Sequence, residues 1–117
     1  DRSNTPLQAL TLLNDVVFVE AAQALANRLL RETPKNSASE QIVYAFALCV
    51  NRQPTDDELT RVLKLYTTLQ DLAKAKPEEA KKLLGKIVVP EADTAKAAAL
   101  VGLARALMNL DEFVTRE

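Results

Sequence analysis

Apolar residues recur along this chain in stripes of helical spacing, separated by short polar breaks rich in Pro, Asn, Ser, Thr and Asp. Phe18, Ala22, Leu25 and Leu29 fall on one side of a helix and Glu20, Gln23, Asn27 and Arg31 on another, which predicts a helix from Val16 to about Glu32. Thr33-Pro34-Lys35-Asn36 breaks it, because proline inside a helix forfeits a backbone hydrogen bond. Ser37-Ala38-Ser39-Glu40 then reads as a capping box, in which hydroxyl and carboxylate satisfy each other's backbone amides. It leads into "IVYAFALCV", apolar on all sides. A strand competes for such a run, but the capping box and the alanines decide for a helix from Ala38 to about Arg52. Having no polar face, it is expected to be the central, most buried helix. After Gln53-Pro54, Thr55-Asp56-Asp57-Glu58 is another capping box, and Leu59, Val62, Leu63, Tyr66 and Leu69 carry an apolar stripe toward about Ala75.

The two ends follow the same grammar. Thr5-Pro6-Leu7-Gln8 is a capping box with proline at the first helical position, and predicts a short helix from Pro6 to about Leu13. Asn14-Asp15 closes it and caps the next helix. Residues 74–93 differ in composition, with Lys, Glu and Ala dominant. Pro77 and Glu78-Glu79 can start a short helix through Leu83, Leu84 and Ile87, weakened by Gly85 and ended by Pro90. From Thr94 the helical pattern resumes, with Leu100, Leu103, Leu107 and Leu110 on one face, toward Asp111 or Phe113. Amphipathic helices joined by short loops predict an all-α fold, a compact bundle of about five to six helices forming a single helical domain over residues 1–117.

Composition narrows the chemistry. The chain has 117 residues, of which 48% are hydrophobic but only 4% aromatic, so its core must be built from Leu, Val and Ala. Two glycines are too few for a fold of many tight turns. A formal charge of -1, from 15 basic and 16 acidic residues, gives no drive toward nucleic acid. No apolar run reaches the roughly 18 residues of a membrane span. The chain does not begin with Met and has no basic-then-apolar leader, which suggests a piece of a longer protein. It contains no histidine, which removes Ser-His and Cys-His nucleophile pairs, His-type zinc sites and a histidine ligand for haem. The single cysteine, Cys49, excludes an internal disulfide.

Most candidate sites have a structural explanation. Asp56-Asp57-Glu58 suits a helix N-terminus and lacks the alternating ligands and glycine of a calcium loop. Cys49 lies in the most apolar helix, without a basic neighbour to activate it. Lys74, Lys76, Lys81, Lys82 and Lys86 read as a solvated face, since no aromatic residues are interleaved to stack bases. Tyr44 and Tyr66 sit in apolar stripes. Two polar clusters are less easily assigned to packing: Arg2, Asn4, Asn14 and Asp15 in the opening, and Asn109, Asp111 and Glu112 near the end. The two are expected to meet, the short opening helix packing on Leu103, Leu107 and Leu110. Of these residues, Arg2, Asn4, Asn14, Asn109 and Glu112 are the candidates for an interdomain or ligand-facing surface.

The opening "DRSNTPLQALTLLND", followed by "FVEAAQALANRLL", resembles the C-terminal part of the planctomycete PSD1 domain, DUF1553. "AFALCVNRQPTDDEL" and the closing "ALVGLARALMNLDEFVTRE" resemble further segments of that family, whereas residues 74–93 match nothing in it and look like a variable Lys-rich insert. Val16 stands where the family usually has Pro. The resemblance implies a C-terminal fragment of a large exported or cell-envelope bacterial protein. Its partners would be other domains of the same polypeptide, DUF1549-like and cytochrome-c-like. The haem motif Cys-x-x-Cys-His is absent, so no cofactor is expected in this fragment. The expected role is a non-catalytic helical module that packs against those domains, with no nucleic acid and no membrane insertion. The alternative is part of a hydrolase or redox enzyme whose site other domains complete.

Overall fold

The computed structural model describes residues 16–33, 35 and 37–110, with side chains from Val19 onward. Among them are five α-helices, one 3-10 turn and no strand: α1 (Val16–Glu32), α2 (Ala38–Val50), α3 (Asp56–Ala75), α4 (Pro77–Leu84), the turn Glu91–Asp93, and α5 (Thr94–Met108). The all-α expectation holds. The predicted helix Pro6–Leu13, the Thr5 capping box and the Asp15 cap lie outside the described residues.

The two internal capping boxes form as their sequences require. The Ser37 hydroxyl accepts from the Glu40 amide at 3.3 Å, and the Ser37 amide donates back to the Glu40 carboxylate at 2.9 Å. At α3 the corresponding distances are 3.1 Å to the Thr55 hydroxyl and 2.8 Å to the Glu58 carboxylate. Helix α2 stops at Val50 because Asn51 turns left-handed, at φ 60° and ψ 34°, while its amide still donates to Ala47 O at 3.0 Å. Asn is among the few residues that accept this conformation at modest cost.

The central helix is α5, not α2. Every residue from Ala97 to Arg105 is buried, and α5 is the one described helix that packs against all four others. The reason is side-chain size. Ala97, Ala98, Ala99, Gly102 and Ala104 leave a thin rod that neighbours can approach from every direction. At Gly102 even a Cβ would come within 3.0 Å of a Leu69 methyl on α3. Helix α2 is more apolar but bulkier, and it lies to one side, with Ile42, Ala45, Phe46 and Val50 buried and Leu48 left 37% exposed.

The Lys-rich stretch contributes to the same core. Ala80 and Leu84 of α4 are buried, and α4 packs chiefly on α5. Gly85, expected to weaken this helix, ends it instead. It sits at φ 58° and ψ −115°, a conformation closed to side-chain-bearing residues. A Cβ there would lie 2.5 Å from the amide nitrogen of Gln23, which donates to Leu83 O at 2.8 Å and so ties α1 to the end of α4. Helix α5 ends at Met108, short of the expected Asp111 or Phe113. Asn109 takes a turn conformation (φ −91°, ψ 1°), its amide shared between the carbonyls of Arg105 and Ala106, both at 3.1 Å.

Candidate functional site

Of the candidate surface residues, only Asn109 falls within the described part of the chain; Arg2, Asn4, Asn14 and Glu112 lie outside it. Asn109 is half-buried and caps the C-terminal end of α5. It follows Met108, which lines a shallow groove of about 280 Å³ with Ala24, Leu25 and Arg28 of α1 and Leu48 and Cys49 of α2. Helical spacing on α1 brings Ala24 and Arg28 to this surface, while Ala22, Ala26 and Leu29 turn inward to the core.

Among the described residues, Arg28 is the one charged residue that lines the groove, and it is paired. Arg28 donates to both carboxylate oxygens of Glu32 at 3.2 Å, one helical turn away. The Tyr44 hydroxyl donates to the same carboxylate, and the Arg28 guanidinium lies 6.0 Å from the Tyr44 ring centre. The Tyr44 and Arg28 hydrogen bonds hold the Glu32 carboxyl below its usual range, so it stays an anion and an acceptor. Burial pushes the Cys49 thiol up to about 11, leaving it protonated at neutral pH and a poor nucleophile.

The other polar constellations close corners between helices. Gln41, fully buried, donates from Nε2 to the Thr33 carbonyl at 3.0 Å and to its hydroxyl at 3.2 Å, which locks the α1–α2 corner. The α2–α3 corner is held by charge. Both terminal nitrogens of the Arg52 guanidinium reach the Glu58 carboxylate at 2.9 Å, and one also donates to Gln53 O at 2.9 Å. The guanidinium lies 5.1 Å from the centre of the Phe46 ring. These bonds, with the backbone amide of Thr55, drive the Glu58 carboxyl down to about 2. Asp56-Asp57-Glu58 is therefore a helix start whose third acid doubles as the anchor of the corner.

The lysines of residues 74–86 lie on the exposed surface, with Lys81 near Glu91 at 3.6 Å and Lys82 near Glu79 at 3.9 Å. Tyr66 is buried, and burial raises its phenol. Among the described residues no group of three or more Cys, Asp or Glu could hold a metal ion. No described helix is long and apolar enough to cross a membrane.

Sequence reasoning missed the groove and one buried cation. Arg105, only 4% exposed and partnered, sits in the last turn of α5, where a cation also suits the helix dipole. A helix pattern cannot show that its arginine faces inward. The groove did leave a trace: a helix apolar on every side, if not central, must expose part of its apolar surface.

Residues 1–66 match the family model PSD1, described as a protein of unknown function (DUF1553). The matched stretch takes in α1, α2, both corners and the first half of α3. No curated protein and no solved structure matches the chain.

Proposed function

This chain belongs to the PSD1 family, DUF1553, and we propose that it is a non-catalytic helical module that packs against other domains of a larger exported bacterial protein. One observation carries the reading. The polar groups with defined partners are committed to architecture, at helix caps and corners, while an apolar groove with half-exposed Leu48 stays open beside Asn109. Arg28, the charged residue of its lining, is paired with Glu32, which Tyr44 also engages, so the groove offers contact area and shape rather than a reactive group. A neighbouring domain that seats an apolar side chain over Leu25, Leu48 and Met108 would gain roughly 25 cal/mol for each Å² of apolar surface covered.

The test is co-expression of this module with the remaining domains of its parent polypeptide as a separate chain. Co-purification is expected for the native module and is expected to be lost in Leu48→Arg, with an unchanged circular-dichroism melting curve because Leu48 is not a core residue. Co-purification that survives both Leu48→Arg and Ala24→Arg would remove the groove from the interface and overturn the reading.

A further inference from the structure

The connection from α4 to α5 behaves as a strand without a sheet. Ile87 and Val89 pack against the core, while Val88 between them is 93% exposed. Pro90 continues the extended course at φ −57° and ψ 151°. Side chains that alternate inward and outward are the habit of a β-strand, and three successive β-branched residues suit one. Among the described residues, no hydrogen bond reaches the amide or the carbonyl of Val88 or Val89. An exposed run of such unpaired groups is a template for pairing with another chain.

Beside this segment lies a groove of about 320 Å³, bordered by Asn27, Leu30 and Arg31 near the end of α1 and by Asp93 and Lys96 at the start of α5. Arg31 and Lys96 take part in no ion pair among the described residues, unlike Arg28, Arg52, Arg61, Lys81 and Lys82. Asp93 is the one acid among the described lining residues. The lining thus sets two cations against one anion, on a chain whose formal charge is -1. Attraction of an acidic group to this place is therefore local, and does not follow from net charge.

We propose that residues 88–90 and this groove form a docking site for an extended acidic segment of another polypeptide. The backbone of that segment pairs with the free amide and carbonyl of Val88, and a neighbouring carboxylate meets Arg31 and Lys96. The two contacts divide the work: main-chain hydrogen bonds supply affinity, and the cations select an acidic sequence. Pro90 has no amide to donate, so the pairing is short and ends there. The site shares no residue with the apolar groove beside Asn109, and so adds a second, charge-selective surface to the module.

The probe is an acetylated, amidated hexapeptide of alternating valine and glutamate, titrated into the whole chain and followed by amide shifts in nitrogen-proton NMR. Saturable binding is expected, with shifts concentrated on Val88, Val89 and Lys96. The same peptide N-methylated at every amide, and a peptide of alternating valine and lysine, are both expected not to bind. Arg31→Gln and Lys96→Gln are each expected to weaken binding about two- to fivefold, the scale of an exposed ion pair. Ala24→Leu, in the other groove, is expected to bind as the native chain does. Absence of saturable binding of the glutamate peptide overturns the proposal. Equal binding of the lysine peptide removes the charge selection, and undiminished binding of the N-methylated peptide removes the strand pairing; either result overturns it too. So does full-strength binding in the double variant Arg31→Gln/Lys96→Gln, or loss of binding in Ala24→Leu alone.

Discussion

The two corners flanking α2 solve the same problem by opposite means. Between α1 and α2 the chain is fastened by a neutral amide with no exposed surface, Gln41, bonded to the backbone and hydroxyl of Thr33. Between α2 and α3 it is fastened by an ion pair, Arg52 with Glu58, whose side chains remain about a third exposed. The difference is one of medium. A buried hydrogen bond is hard to replace once broken, because water cannot reach the orphaned partner. A half-exposed ion pair is screened and can be rehydrated, so each of its bonds contributes less than its geometry suggests. Gln41 also shows the cost of the first solution: its Oε1 is buried without a protein partner, the kind of group an ordered water commonly satisfies.

The contrast breaks most visibly at Gln41. Gln41→Ala leaves a cavity and strands the Thr33 carbonyl, and is expected to cost about 2–4 kcal/mol in urea unfolding, with little dependence on pH. A loss below about 1 kcal/mol would mean that this corner is not held by the amide.

The charged corner should respond to acid instead. The folded-state pKa of Glu58 lies below its ordinary value, so its contribution is fully present above the ordinary carboxylate range and is lost as pH falls toward about 2. Glu58→Gln is expected to cost about 1–2 kcal/mol near neutral pH, after allowance for solvent screening. The gap from the native chain should close at the acid end. Urea midpoints measured across that window check it, and a pH-independent gap would assign the effect to the capping box alone.

The smallest effect sharpens the comparison from the exposed side. Arg61 and Asp57 approach to 3.1 Å on the surface of α3 with both side chains largely in water. Arg61→Ala should change stability by less than about 0.5 kcal/mol, a difference read from thermal melts at low and high salt. A larger loss would show that solvent exposure does not set the relative strength of the two charged contacts.

The local rules of the sequence determined a good deal by themselves. Capping boxes at Ser37 and Thr55 and the proline at position 77 marked helix starts within a residue, because those signals act over one turn and depend on no distant partner. The family-like opening motif was legible too, and the match over residues 1–66 agrees with it. The structural setting of Arg2, Asn4, Asn14 and Glu112 stays outside the described residues. What only the tertiary structure decided is which helix sits at the centre and which surfaces remain open. Hydrophobicity ranks α2 above α5, yet α5 is central, because a position shared by four neighbours is limited by side-chain volume before it is limited by apolarity. The same limit exposes Leu48 and turns Gly85 from a weak point into a required turn. Periodicity records which face of a helix is apolar; how closely two faces approach is settled only when both are in place.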